Sequence, residues 1–467
     1  MDVATDLTRA AAGATRKLAA FASSLTFEAL PSDVVEKVKL CSLDTLGCCI
    51  FGNSLASVRK LAAVILGEGA AAQATVFGRS VRTSPSSAAL LNATAAHAFQ
   101  LDEIHIESTL HPGSLALPAS FALGETRKDT SGRDLIVAMV AGYEVGLRIG
   151  LALRGGMFKS GFHNQGTTGV FVAAAAAARM LGLDTGQTEQ AFGIAASQAA
   201  GLMAVQDGAM TKSFHSGRAA QSGVYAALLA RQGYTGINDV LDGAYGTFFA
   251  SFVNDWAPEP LAQGLGCDWK VMRVGFKSAP ASNGSITAMT AVDRIMREQG
   301  LQAADIESIT GFVSDNTLHH CGWPYIPERV ASVLSAQMNL FYGVAVMAID
   351  RRASIDQFDE RRILDPEILH FIERIKVQHD PAFDADMGRY RVGCRMIVRA
   401  RERDFETTVL YRKGSPDDPM TRSELEQKFR LLAGDVKNVD ALVDATMSLD
   451  ELRSIEVLGR LCADLAV

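Results

Sequence analysis

The chain has 467 residues, 48% hydrophobic and 21% charged, a mix that buries a sizeable core across two or three domains and excludes a disordered polypeptide. Its net charge of −7, with no Lys/Arg run able to follow a phosphate backbone, argues against nucleic-acid binding but leaves room for cations converging on a small anion. The seven cysteines form no CxxC, and no apolar leader follows Asp2 and Asp6, so the expectation is reduced, buried thiols in a cytoplasmic protein.

From Leu7 to about Tyr245, apolar residues recur every three or four positions, the period of packed helices, with turns at Pro31-Ser32, Gly52-Asn53, Gly155-Gly156 and Gly233. Leu135 to Leu153 is apolar but interrupted by Glu144 and Arg148, and Gly169 to Leu183 is too short to span a bilayer. Both read as buried helices, and no membrane segment is expected. Val170-Phe171-Val172 and the six alanines after it are apolar on every face, which places that helix inside a bundle. Neither a strand–GxGxxG–helix unit nor GxxxxGK[ST] occurs, so nucleotide binding loses its main support.

The texture changes near Trp269. Val271 to Phe276 predicts a short strand, about Ser285 to Gly300 a helix, and Ile306 to Val313 another strand. Between Arg391 and Ala400, Val392, Cys394, Met396 and Val398 alternate with Arg391, Arg395 and Arg399. Phe405 to Tyr411 answers that run as a hairpin partner across Arg401-Glu402-Arg403. Thr421 and Glu424 have the capping-box spacing of a helix that stops at Gly434, and Ser448 to Val467 predicts a final amphipathic helix. The fold class is mainly α with an α+β insert. Residues 1–269 begin a large all-helical domain, 270–412 form a smaller α+β lid domain, and 413–467 return to the helical domain. Domains joined by two crossings can hinge, and the cleft between them is a favoured place for a site.

Three histidines and three acids crowd one segment: His97, Asp102, Glu103, His105, Glu107 and His111. The intervals of eight and six between the histidines do not match HxxxH, so metal binding is disfavoured and general acid–base work is the better reading, with a polar surface loop competing. The stretch from Lys159 to Gly169 puts small and hydroxyl residues at a helix opening, where free N–H groups offer an anion seat beside His163; an ordinary polar cap competes. Lys212, His215 and Arg218 stand three apart, which puts them on one helix face for carboxylate recognition unless that face is merely solvated. Lys277 ends the first strand at the domain seam, from which it reaches into the cleft or sits in a surface turn.

In order and spacing these segments resemble the MmgE/PrpD family: Leu30-Pro31-Ser32-Asp33, Leu43-Asp44-Thr45-Leu46-Gly47, Leu91-Asn92-Ala93-Thr94-Ala95-Ala96-His97-Ala98, Gly161-Phe162-His163, Lys212-Ser213-Phe214-His215-Ser216-Gly217-Arg218, Phe276-Lys277, Gly414-Ser415-Pro416 and Lys428-Phe429. The resemblance covers nearly the whole chain. It implies the same two domains, usually a homodimer, and a site between the domains that uses no metal and no cofactor. By matching motifs, His111, His163, Lys212 and Lys277 occupy active-site positions, and Asp102 matches an acidic one. Arg218, His215, His105 and Gln100 are assigned to substrate binding.

Family members acting as dehydratases or decarboxylases carry an Asp-Phe-Asp-Asp-Thr type of sequence after the Ala-His-Ala element. Here that stretch is Gln100-Leu101-Asp102-Glu103-Ile104, with one acid replaced by an amide and the hydroxyl gone. The expectation drawn from this departure is an isomerase similar to iminodisuccinate epimerase, moving a proton alpha to a carboxylate of a polycarboxylate. A hydro-lyase or decarboxylase on a citrate-type acid is the alternative, and a non-catalytic carboxylate binder is the alternative of another class.

Overall fold

Helix dominates the first half of the chain because its small and apolar residues repeat at the helical period. In the computed structural model, which describes residues 11–243, 245–330, 332–385, 391–434 and 438–463, those helices share one apolar core. They include α1 (Ala14–Ser24), α2 (Ser32–Asn53), α3 (Pro85–His97), α4 (Gly113–Gly124), α5 (Gly132–Ala152), α6 (Gly169–Leu181) and α7 (Thr211–Arg231). From Gly169 to Ala178 every residue of α6 is buried, as its lack of a polar face requires. Among the described residues α5 alone is long and apolar enough to cross a membrane as a single helix. It is instead a core helix, with 94% of its most apolar window buried. Its Arg148 pairs with Glu144 at 3.4 Å and donates to the carbonyls of Pro260, Gln263, Gly264 and Asp268.

Close helix packing sets up the site. At Gly217 of α7 a Cβ would lie 2.6 Å from the Leu90 carbonyl oxygen of α3, so only glycine allows this approach. The approach carries Lys212, at the start of α7, to His97 at the end of α3.

A second core runs from Ala279 to Val409 and also takes in Phe99. Here α8 (Asn283–Gln299) and α9 (Leu340–Asp350) accompany four strands: β1 (Ile306–Val313), β2 (Ile375–His379), β3 (Cys394–Ala400) and β4 (Arg403–Val409). The sheet order is β2-β1-β3-β4, with β1 and β2 parallel and the other pairs antiparallel. The expected hairpin is present. Arg401 and Glu402 both take the left-handed backbone, φ 51° and 60°, that a tight two-residue turn demands. Cys394, Met396 and Val398 are buried, on the face expected from the alternation.

Two expected elements differ. Val271 to Phe276 is not a strand. A 3-10 turn, Lys270–Arg273, is held by Glu144, which accepts from Val271 N at 3.0 Å, and Gly275 then makes one antiparallel bridge to Ile104. The segment straps the start of the second core to α5 and to the histidine-rich loop, which takes it out of reach of a sheet. The last helix is shorter than Ser448 to Val467. Leu452 O accepts from Gly132 N, and Ile455 N donates to Thr130 O. These contacts break the run, and helix α11 covers Glu456–Ala463. Residues 464–467, like the start around Asp2 and Asp6, lie outside the described residues. The strand Ile375–His379 was not expected, because only its first residue is buried and alternation is faint.

Helix α10 (Arg422–Ala433) packs on α2, and its capping box is formed in both directions by Thr421 and Glu424. Replacing Thr421 by Ala leaves one N-terminal amide without its partner and is expected to cost about 1 kcal/mol, read as a lowered urea midpoint at unchanged slope. An unchanged midpoint would show that the cap is not stabilising. From α10, buried Lys428 donates to Asp44 Oδ1 at 2.6 Å and to Leu101 O at 2.7 Å, while Asp44 Oδ2 accepts from Glu103 N at 2.9 Å. The last part of the chain thereby clamps the histidine-rich loop.

Six of the seven cysteines are buried and all are unpaired; Cys267 is exposed.

Candidate active site

The loop between α3 and α4 is built to present side chains inward. Helix α3 is capped by Ser84, has proline at its first position, and ends on buried His97. The chain then turns through Gln100 in a left-handed conformation, φ 57°, which a long side chain adopts only when its surroundings enforce it. Beyond Asp102, Ile104 bridges to Gly275 and His105 to Leu110. Gln165 accepts from His111 N and donates to His111 O, both at 3.0 Å, fixing that backbone. Gly113 N donates to Glu103 Oε1 at 2.8 Å, which orders the entry to α4.

Asp102 lies at the floor, fully buried, with one oxygen serving two imidazoles. His97 Nδ1 is 2.8 Å from Oδ2 and His111 Nδ1 is 3.2 Å from the same atom. Burial pushes the Asp102 carboxyl up, but His111 and His97 outweigh this and hold it well below the usual carboxylate range. An ionised Asp102 accepts from His97 Nδ1, so that ring turns its Nε2 the other way, while His111 Nδ1 stands at ion-pair distance without a hydrogen bond. The His97 Nε2 faces Lys212 Nζ at 3.4 Å. Burial lowers the His97 pKa to about 3 and also lowers that of His111, with Asp102 opposing in both cases.

Two ammonium groups meet at Gln100. Lys212 Nζ donates to its side-chain Oε1 at 2.7 Å, and Lys277 Nζ to its backbone oxygen at 2.9 Å. Both lysines are buried, and among the described residues no carboxylate is bonded to either. Burial brings Lys212 down to about 8, with Asp102 opposing, and Lys277 down to about 7, where the neighbouring charges of Lys212, Arg412 and Lys428 add to the effect. Near neutral pH each can switch between ammonium and amine, and a bound carboxylate favours the ammonium.

The cleft is lined by five of the expected residues, Gln100, His111, His163, Lys212 and Lys277, with Asp102 behind His111. His215 stands one layer back, its Nδ1 3.1 Å from His163 Nδ1; one of these rings must donate and the other accept, so His163 and His215 do not both carry a proton on these nitrogens. Two of the assigned residues, His105 and Arg218, do not line the cleft. His105 turns away to Ser108 at 3.0 Å and Glu107 at 3.7 Å, held there by the bridge to Leu110. Arg218 is exposed and bonds Gln221. A step of three residues falls about 60° short of a full helical turn, so two steps carry Arg218 away from the cleft that Lys212 faces.

Across the cleft stand residues that the sequence did not single out, Arg391, His320, Asn283 and Asn316, with Thr109 on the near side beside His111. Arg391 was placed on the polar face of a strand, but it precedes β3 and reaches to Ile106 O at 2.6 Å and Thr109 Oγ1 at 3.3 Å. Thr109 supplies a hydroxyl to a pocket whose loop sequence had lost one. Burial takes the His320 pKa to about 3.

His97, Asp102 and His111 offer ligand atoms within 4.8 Å of one another, close enough for a metal ion. The environment opposes one, since a cation there would displace the His97–Asp102 hydrogen bond and face two lysine ammoniums. The cleft suits an anion with several carboxylates.

The MmgE/PrpD N-terminal domain matches residues 16–260, and the MmgE/PrpD C-terminal domain matches residues 280–449. The chain belongs to the MmgE/PrpD family. Similar proteins in this family of enzymes include a cis-aconitate decarboxylase of Aspergillus terreus, 31% identical over 96% of each chain. A cis-aconitate decarboxylase-like protein, oryM, of Aspergillus oryzae is 30% identical over 95% of this chain and 96% of its own. The human cis-aconitate decarboxylase is 26% identical over 92% of this chain and 91% of its own. These MmgE/PrpD relatives overturn the epimerase expectation. That expectation gave the five-residue departure from Gln100 to Ile104 more weight than the rest of the chain, although proton movement beside a carboxylate is common to both chemistries.

Proposed function

We propose that the protein decarboxylates an unsaturated tricarboxylate of the cis-aconitate type. The observation that carries this reading is the pair of buried lysines converging on Gln100 beside the Asp102–His111 pair; the near-full-length relatives supply the substrate class. Cis-aconitate has a carboxylate on a methylene next to its double bond. When that carboxylate leaves as CO2, its bond pair forms a new double bond to the central carbon. The old double-bond pair shifts to the far carbon, beside a retained carboxylate. The barrier is this developing charge, and Lys212 and Lys277 in a water-poor pocket stabilise it where it appears. His111, held by Asp102 and converted to imidazolium by the incoming anion, gives a proton to that carbon. One CO2 is released and one proton consumed, leaving a dicarboxylate with a terminal methylene.

The test is proton NMR of the purified protein with cis-aconitate in deuterated water. The olefinic signal is expected to give way to terminal-methylene signals, with one deuterium at the carbon beside the retained carboxylate and stoichiometric CO2. Formation of a hydrated, citrate-type acid without CO2 would move the protein to the hydro-lyase reading, and unchanged cis-aconitate would sink the proposal.

A further inference from the structure

The wall that the second core gives to the cleft carries polar atoms that no protein group satisfies. Arg391 stands just before β3, and its carbonyl oxygen accepts from Ser314 Oγ at 2.6 Å and Thr317 Oγ1 at 3.0 Å. Those two residues belong to the opening turn of a short helix, Asp315–Cys321, which brings Asn316 and His320 to the same wall. The Arg391 guanidinium makes two hydrogen bonds, both to uncharged oxygens of the histidine-rich loop, Ile106 O and Thr109 Oγ1. Its buried Nε has no partner among the described residues, and neither has the buried Nδ1 of His320, whose ring meets Phe158 edge-on at 5.5 Å. Glu107, whose charge favours the Arg391 cation against burial, is itself paired with Arg273 at 3.2 Å. Two neutral acceptors leave most of a guanidinium's five donors unused, and buried donors without acceptors are rare enough to need a reason.

The charge count points to a ligand. Lys212, Lys277 and Arg391 are the lysine and arginine side chains lining the cleft, and an aconitate-type acid has three carboxylates. Both lysines titrate near neutral pH, whereas a guanidinium stays charged. A bidentate grip on the departing carboxylate would stabilise the ground state and raise the barrier, so Arg391 does not serve that group. The lysines hold the carboxylate beside which charge develops. The group left for Arg391 is the carboxylate on the central carbon. We propose that Arg391 and His320 form a subsite for this central carboxylate, the guanidinium gripping it and the imidazole donating one hydrogen bond, so that the second core separates tricarboxylates from dicarboxylates. For turnover this rests on the decarboxylase reading; as a binding site it does not.

Calorimetric titration with tricarballylate and glutarate, saturated acids that differ only in the central carboxylate, tests the subsite without turnover. The unmodified protein is expected to bind tricarballylate about tenfold or more tightly than glutarate. Arg391→Met should weaken tricarballylate about 10- to 150-fold and leave glutarate within about twofold, so that the preference collapses. Arg391→Lys should fall between, since it keeps the charge and loses the planar fork. His320→Phe should lower the same ratio severalfold on its own. Equal weakening of both acids by Arg391→Met overturns the subsite, because Arg391 would then only tether the second core to the histidine-rich loop. Equal affinity of the unmodified protein for the two acids overturns it too. If Arg391→Met does not fold, an unaltered ratio in Arg391→Lys and His320→Phe has the same force. A preference that collapses as expected, in a protein that decarboxylates no acid, keeps the subsite and removes the decarboxylase reading.

Discussion

Asp102→Asn is expected to lower kcat by about 10²- to 10⁴-fold, the range lost when a general acid–base pair is disabled. The carboxylate does two things at one oxygen: it fixes the Nδ1–H tautomer of His97, and from 3.2 Å it stabilises the imidazolium through which His111 delivers its proton. Asparagine keeps the shape and removes the charge. Substrate carboxylates are held by other groups, so KM should change only severalfold and the loss should fall on kcat and kcat/KM together. Because the mutation also removes a buried charge, the urea midpoint should not fall sharply. A variant that turns over at near wild-type rate would eliminate the Asp102–His111 pair as the proton-transfer unit.

Lys277→Met is expected to reduce kcat/KM by about 10- to 150-fold, the worth of one charge-assisted hydrogen bond to a carboxylate. The pH profile of the unmodified enzyme separates this role from a structural one. The ammonium form binds the anion, and burial has lowered the Lys277 pKa to about 7 and that of Lys212 to about 8. Because the folded-state values are depressed, each group loses its proton, and with it the attraction, as pH rises through that value. Thus kcat/KM, which reports the free enzyme, should decline above pH 7 and steepen above pH 8, beyond the fall at lower pH as His111, whose pKa burial depresses, loses its proton. In Lys277→Met the first of these two losses should vanish, leaving only the decline near pH 8. A profile flat to pH 9 in the unmodified enzyme would show that neither lysine is needed as a cation.

The helical block, the β3–β4 hairpin and the Thr421 cap were legible because each depends on local periodicity or turn chemistry. The strap at Lys270–Phe276 was not. Its residues favour extended backbone, and only the distant Glu144 and Ile104 decide what it pairs with. In the site, Lys212, Lys277, His111 and His163 could be named from motif order, whereas Arg391 and His320 could not. These two come from the opposing core and meet the histidine-rich loop only through tertiary folding, which leaves no spacing signal in the chain. Arg218 was misplaced by a small angular error that accumulates along a helix. Functional choice between isomerase and lyase was illegible for a chemical reason, since both place charge beside a carboxylate and ask for the same cations.

The clamp by Lys428 has a consequence for how the enzyme comes into being. The Leu101 carbonyl waits for a partner 327 residues further on, and at ~5–20 residues per second that interval is roughly 16 to 65 s of synthesis. Until then Asp44 is a carboxylate without its counter-ion, and the loop holding Asp102 lacks its outer support. A nascent chain on the ribosome therefore carries Asp102 and His111 long before the clamp that supports their loop is made.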